Sequence, residues 1–179
     1  MPVDLLCLAP HKFYGPKGVG IFYVRQGTDL FANLTGGGQE DGRRPGTVNV
    51  PFAVGAAKAL ELALANRDSY NSHCLALRER LIEGLLGAFP AEQLCLTGHR
   101  TERLPHHASF AFHTLTGNDM LINLDLLGIS ASSGSACATG NLEPSQTLEA
   151  IGLGDEWTRG GLRLTVGKQN TIEDIDHVV

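Results

Sequence analysis

The clearest hydrophobic periodicity lies in the second quarter of the chain. Residues 51–66 are rich in alanine and leucine, with apolar side chains on a wide arc, which predicts a buried helix. A second helix is predicted over residues 68–89 and ends at Pro90. Its leucines predict an inner face and its charged residues an outer face. The inner positions are Leu75, Leu77, Leu81, Leu85 and Leu86, and the outer ones are Arg78, Glu79, Arg80 and Glu83.

Short segments with alternating or continuous apolar residues lie on both sides of these helices. Their patterns predict strands at residues 4–8, 20–24, 95–97, 108–113, 129–131 and 162–166. Further helices are predicted at residues 117–127, 144–151 and from 172 onward, with a single helical turn at 29–33. The inner side of the helix at 117–127 is predicted to carry Met120, Leu121, Leu124 and Leu127. Strands that alternate with helices after residue 93 predict an α/β sandwich with one side of its sheet covered.

Composition narrows the class of protein. With 179 residues, 42% of them hydrophobic and 18% charged, the chain has the balance of a globular protein with one good core or two small ones. A net charge of −5 without a basic stripe argues against nucleic acid as a partner. Widely spaced cysteines predict free thiols and a cytoplasmic location. No apolar run reaches the length of a membrane span, so no membrane partner is expected.

The turn between the first two predicted strands carries a candidate nucleophilic amine. Residues 9–24 read A-P-H-K-F-Y-G-P-K-G-V-G-I-F-Y-V, which places Lys12 after one strand and before a tight turn. A lysine held there can bond to a carbonyl cofactor if its surroundings favour the neutral amine. On this stretch alone, a solvated surface lysine is an equal alternative.

A second stretch places Cys137 among small residues, in I-S-A-S-S-G-S-A-C-A-T-G at residues 129–140. A cysteine nucleophile needs exposure and a stabilised thiolate, and a loop of small residues provides the exposure. The pair His106 and His107 suggests a metal site, but no third ligand is nearby in the sequence, so no metal is expected.

Five ordered motifs together resemble the cysteine desulfurases, which are pyridoxal-phosphate enzymes of the class-V aminotransferase type. The motifs are H-K-F-Y-G-P-K-G-V-G, G-G-G-Q-E-D-G-R-R-P-G-T, S-S-G-S-A-C, L-E-P-S and L-R-L-T-V-G. The motif S-S-G-S-A-C resembles that of the branch of the family that serves iron–sulfur cluster assembly. The resemblance implies an α/β fold, the C-terminal part of a fold-type I transferase. It divides the chain into a remnant of the cofactor-binding large domain (1–48), connecting helices (49–90) and a small C-terminal α/β domain (91–179).

The resemblance also implies a role for each matching residue. Lys12 carries pyridoxal 5'-phosphate and takes the substrate Cα proton, while His11 helps to hold the phosphate and Thr47 contacts the phosphate in the other subunit. Cys137 attacks the substrate sulfur and keeps it as a persulfide. Arg163 grips the substrate carboxylate, for which its planar fork is suited. The implied partners are L-cysteine, an iron–sulfur scaffold or sulfur-relay protein, and either a second copy of the chain or a missing N-terminal half.

Departures from the family pattern leave three hypotheses. The upstream half that supplies other cofactor contacts is not in this sequence, and Ala9 occupies the place of a usual phosphate-binding serine. The first hypothesis is the C-terminal half of a cysteine desulfurase, which Lys12 and Cys137 together favour. The second, favoured by Ala9 and the missing half, is a non-catalytic dimerisation or sulfur-carrier module. The third is a selenocysteine lyase or another pyridoxal-phosphate lyase that acts on cysteine.

Overall fold

The computed structural model describes residues 3–133 and 144–179 of the chain. Two units, residues 1–67 and 68–179, each make their own set of internal contacts. Cys137 lies outside the described residues. The three-part division implied by the family resemblance stays a prediction.

The first unit is built on an antiparallel hairpin. Strand β1 (Leu5–Leu8) pairs with strand β2 (Ile21–Val24), in agreement with the sequence prediction. A short 3-10 helix (Pro10–Phe13) lies between the two strands, and a second one (Gln39–Gly42) lies in the long loop that follows.

Helix α1 (Val50–Ala65) closes the first unit and confirms the helix predicted at 51–66. The prediction that this helix is buried is wrong, because its wide apolar arc packs along one side only: Ala56 and Ala59 are buried, whereas Val54, Leu62 and Leu64 are exposed. It begins after Asn49, whose side chain accepts a hydrogen bond from the backbone N–H of Phe52 at 3.3 Å. The helical turn predicted at 29–33 is wrong, since these residues form no helix. Phe31 is 93% exposed there, and a lone turn without packing is unstable.

The second unit contains a three-stranded antiparallel sheet of order β3-β4-β5, with helices before, between and after its strands. Its elements in chain order are α2 (Arg67–Ala88), β3 (Leu94–Leu96), β4 (His107–Phe112), α3 (Gly117–Leu126), α4 (Gln146–Ala150), α5 (Asp155–Thr158), β5 (Gly161–Thr165) and α6 (Ile172–Val178).

One face of this sheet forms the hydrophobic core. Phe110 of β4 and Leu162 and Leu164 of β5 are buried together with apolar side chains of α2 and α6. Because successive strand residues point to opposite faces, the other face carries the alternate residues. On β4 and β5 these include His107, Ser109, Arg163 and Thr165.

The inner face of α2 differs from the predicted one at three positions. Leu75 and Leu86 were expected inside but are exposed, and Arg78 was expected outside but is only 4% exposed. The buried stripe follows the helical repeat through Cys74, Leu77, Arg78, Leu81, Ile82 and Leu85. Arg78 occupies it because its guanidinium donates a hydrogen bond to the carbonyl oxygen of Leu104 at 3.1 Å.

Three other predictions in the second unit need correction. No strand forms at 129–131, since the chain joins the sheet only at Ser132, which bridges to Arg163. Leu127, expected inside, is exposed, whereas Met120, Leu121 and Leu124 pack against the core. Helix α5 was not predicted, since a four-residue segment is too short to show a helical period. No helix within the described part of the chain has the length and apolarity needed to span a membrane.

Candidate functional site

The turn that carries Lys12 is fixed by its own backbone. The N–H of Lys12 donates to the carbonyl of Ala9 at 2.9 Å, and the N–H of Gly15 donates to that of Pro10 at 2.8 Å. Tyr14 has a φ of 67°, in the left-handed region. A Cβ added at Gly15 would lie 2.9 Å from the Cβ and carbonyl oxygen of Pro10, so only glycine fits. This closed turn sets the point from which the Lys12 side chain leaves the backbone.

The amine of Lys12 is exposed and available. Among the described residues it makes no hydrogen bond or ion pair, and the neighbouring His11 is also exposed. An amine without an acidic partner can react with a carbonyl group once it is neutral. The side chains at the start of this unit therefore fit the attachment of a carbonyl cofactor at Lys12.

Thr47 lies just before helix α1 in the same unit, and its side chain is exposed. The long loop that precedes it is closed by a hydrogen bond from the N–H of Gly46 to Oε1 of Gln39 at 3.2 Å. Helix α1 packs on the Lys12 turn, because a Cβ at Gly55 would lie 3.3 Å from Cγ of Pro16. The turn with Lys12 and the helix after Thr47 are thus parts of one packed structure.

Arg163 lies on strand β5, on the sheet face opposite the core. Its N–H donates to the carbonyl of Ser132 at 2.7 Å, and its carbonyl accepts from the N–H of Ser132 at 3.1 Å. Ser109 of β4 lies directly opposite on the other side. The side chain is half-buried, and its guanidinium makes no hydrogen bond or ion pair within residues 3–133 and 144–179. A half-buried guanidinium that no described residue neutralises is ready to bind an anion.

Two titratable side chains share this sheet face. Burial lowers the pKa of His107, and the positive charges of Arg163, Arg103 and His106 lower it further. Burial raises the pKa of the Cys95 thiol, although a backbone hydrogen bond from Ala111 acts in the opposite direction. In the part of the chain that the structure describes, no group of three His, Cys, Asp or Glu side chains could hold a metal ion.

An apolar cavity of about 450 Å³ lies on the opposite, core side of the sheet. Phe112, Leu162 and Leu164 form part of its wall, and Asp119 is the charged side chain that reaches it. It contains none of the predicted site residues. This cavity is therefore separate from the chemistry predicted around Arg163.

The predicted site residues fall into the two units. Lys12, His11 and Thr47 belong to the first, and Arg163 belongs to the second. With Cys137 outside the described residues, the assembly of all five into one site stays a prediction. The sequence reasoning considered His107 only as a metal ligand and missed it as a neighbour of Arg163. The signal was present in the alternation of polar His107 and Ser109 with apolar Ala108 and Phe110.

Comparison with known proteins gives consistent matches over the whole chain. Residues 1–178 match the family described as aminotransferase class-V. The cysteine desulfurase IscS of Clostridium botulinum (strain Hall) is 44% identical over 179 residues, which is 100% of this chain and 45% of that protein. The cysteine desulfurase IscS of Methanosarcina thermophila is 46% identical over 177 residues, or 99% of this chain and 43% of the relative.

Solved structures agree with the sequence matches. A NifS-like protein has a TM-score of 0.85 and 34% identity, covering 98% of this chain and 44% of the other. The NifS-like protein from Rickettsia africae has a TM-score of 0.87 and 26% identity, over 98% of this chain and 45% of the other. The chain spans about half the length of the relatives it matches. The expected fold class, part of a fold-type I transferase, is confirmed, and the chain belongs to the aminotransferase class-V family.

Proposed function

We propose that this chain is the C-terminal part of a cytoplasmic cysteine desulfurase that depends on pyridoxal 5'-phosphate. The reaction converts L-cysteine to L-alanine and passes the sulfur to an acceptor for iron–sulfur cluster assembly. The observation that carries the proposal is 44% identity to a cysteine desulfurase across all 179 residues. Because the relatives are about twice as long, we propose the activity for the chain together with the remainder of the fold.

The first unit holds the cofactor in this proposal. Lys12 binds it through the side-chain amine, and His11 and Thr47 contact its phosphate. When bound, the cofactor supplies a conjugated ring that stabilises negative charge at the substrate Cα. The amine of Lys12 would take the proton from that carbon. The fixed turn around Gly15 supports this role, since it sets the point from which the Lys12 side chain leaves the backbone.

Arg163 binds the substrate carboxylate through two parallel hydrogen bonds, a geometry that a lysine cannot reproduce. Its unpaired, half-buried guanidinium supports this role, because no internal carboxylate of the described residues competes with the substrate. Burial also weakens screening by water, which strengthens the attraction.

Cys137 receives the sulfur. Its thiolate forms an S–S bond with the substrate sulfur while the bond between that sulfur and Cβ breaks, which leaves a persulfide on the chain. An iron–sulfur scaffold or a sulfur-relay protein then takes the sulfur. A selenocysteine lyase would use the same residues on a selenium substrate. Comparing the activity on L-cysteine with that on selenocysteine separates the two functions.

A second candidate function is a sulfur carrier that has lost its cofactor. Ala9, whose carbonyl closes the Lys12 turn, has no hydroxyl to donate to a phosphate. A lost hydrogen bond to a charged group costs about 1.5–3 kcal/mol, which weakens cofactor binding. A carrier of this kind needs Cys137 but does not need Lys12.

The test is the visible absorbance spectrum of the chain with added pyridoxal 5'-phosphate, followed by borohydride reduction and peptide mapping. We expect a cofactor band and a reduced adduct on Lys12. The variant Lys12→Ala should lose both, whereas Lys17→Ala, which removes an exposed amine from the same turn, should keep both. An adduct spread over several lysines, or none at Lys12, would favour the carrier function instead.

A further inference from the structure

The sheet face that carries Arg163 places a histidine beside it. In the register of β4 and β5, Ser109 lies opposite Arg163 and His107 lies opposite Thr165. His107 and Arg163 are therefore diagonal neighbours on one face of the sheet. Side chains in that relation are about 7–8 Å apart at the backbone, within reach of each other when they are long or aromatic.

The charges that act on His107 are all positive. They come from Arg163 on β5, from Arg103 in the preceding loop and from the adjacent His106. Arg103 is held in place because its guanidinium donates to the carbonyl of His99 at 2.7 Å and to that of Thr97 at 3.0 Å. No carboxylate of the described residues contributes to the electrostatics at His107. The charges that act directly on His107 are thus cationic, in a chain of net charge −5.

The protonated imidazole has two N–H groups, of which one donates to the backbone carbonyl of His107 itself, so the other can donate a hydrogen bond to an anion. We propose that Arg163 and His107 form a two-point carboxylate site, in which the guanidinium binds the carboxylate and the His107 ring donates a further hydrogen bond. The inference rests on the role proposed for Arg163. It adds His107 as a second residue that recognises the amino-acid substrate.

This arrangement makes carboxylate binding depend on pH. Without an anion, burial and then the neighbouring cations hold the pKa of His107 below 6.5. A bound carboxylate favours the charged ring and raises that pKa, so binding takes up a proton. By linkage, affinity for the anion increases as pH falls through the pKa of the complex and levels off below the pKa of the free site.

Propionate is a suitable probe, because it presents a carboxylate without a thiol, and propionamide is its neutral counterpart. Binding to the full chain is followed at about pH 7.5 and about pH 5.5 by the NMR signals of the His107 ring, which also report its pKa. We expect propionate affinity to rise several-fold at the lower pH, the pKa of His107 to rise when propionate binds, and propionamide not to bind.

Three variants test what His107 and Arg163 each contribute to propionate binding. His107→Gln keeps a donor but does not titrate, so its propionate affinity should lose most of the rise at low pH. His73→Gln, an exposed histidine on α2, should behave as the unmodified chain does. Arg163→Gln should lose affinity at both pH values.

The outcomes separate the two proposals. If His107→Gln retains the full pH dependence while Arg163→Gln loses binding, the role of His107 is wrong and that of Arg163 stands. If Arg163→Gln binds propionate as well as the unmodified chain does, both are wrong. Equal binding of propionamide would also overturn the site, since charge would then play no part. Circular dichroism of each variant checks that the fold is intact.

Discussion

Arg78 is a buried cation on a helix face that is otherwise apolar. Its guanidinium is satisfied by the carbonyl of Leu104 and by Glu79, which also accepts a hydrogen bond from Arg100 at 2.6 Å. Replacing Arg78 with methionine leaves the carbonyl of Leu104 without this donor and leaves Glu79 paired with Arg100 alone. We expect the free energy of unfolding to fall by about 2–4 kcal/mol in urea denaturation. Arg80→Met, also on α2, breaks an exposed pair with Asp176 of α6 and should cost far less.

Glu79 gives the stability of the chain a pH dependence. Burial raises its pKa, but hydrogen bonds from Arg78 and Arg100 outweigh this and hold the value below 4.5. A depressed folded-state pKa stabilises the protein above the unfolded value, and that stabilisation is lost as pH falls through the folded value. We expect urea midpoints to decrease below about pH 4.5 and this slope to flatten in Glu79→Gln. Glu83→Gln, an exposed carboxylate of α2, should keep the slope of the unmodified chain.

At the scale of elements, local periodicity predicted those features that depend on residues close together in the sequence. The bounds of α1 and α2 were predicted to within one residue, because long apolar periods define them. The positions of Arg78 and Ser132 depend on partners far along the chain, Leu104 and Arg163. No local pattern contains such pairings. For this reason the predicted inner face of α2 and the predicted strand at 129–131 were wrong, while the bounds of the long helices were predicted correctly.

The start of β5 depends on a glycine. A Cβ at Gly160 would lie 1.9 Å from the carbonyl oxygen of Phe112, a backbone atom that cannot move aside. The N–H of Phe112 also donates to the carbonyl of Gly160 at 2.9 Å. We therefore expect Gly160→Ala to lose at least about 2 kcal/mol of stability, or to prevent folding of the second unit.

A matched substitution in α2 should act in the opposite direction. No atom lies within 4 Å of a Cβ added at Gly87, which is helical. Alanine there should stabilise the chain by about 0.5–1 kcal/mol. If both variants had similar melting temperatures, the contact at Gly160 would not have the importance assigned to it.

At the scale of the whole molecule, the hydrophobic core lies in the second unit. The buried cluster extends from Cys74 to Ile175, whereas the hairpin of the first unit exposes Leu5, Leu6, Phe22 and Tyr23. A two-stranded hairpin is marginal by itself. We expect amide hydrogen exchange by mass spectrometry to be slow in α2 and β4 and fast in β1 and β2. Equal protection in both would show that the first unit is stabilised by other means, such as association of two copies.

The candidate site could likewise be predicted from the sequence only where it depends on local motifs. Lys12 and Arg163 lie in ordered motifs, and the motifs were enough to single them out. The pairing of Arg163 with Ser132, and its proximity to His107, depend on sheet register, which the sequence does not specify. The arrangement of the five predicted residues in one site depends in addition on the half of the relatives' length that this chain does not cover.

The different exposures of the cysteines have a practical consequence for sulfur chemistry. Cys74 is buried, with its thiol 3.9 Å from the carbonyl of Val166, and burial raises the pKa of Cys95, so both should react slowly with thiol reagents. Cys7 on β1 is exposed. It should be modified early by a disulfide reagent, and its thiolate can take the outer sulfur of a persulfide in solution, with release of the donor's thiol, without any enzymatic transfer. Cys7→Ser is therefore the background in which sulfur bound to Cys137 can be counted, and a persulfide that disappears in that variant was never on Cys137.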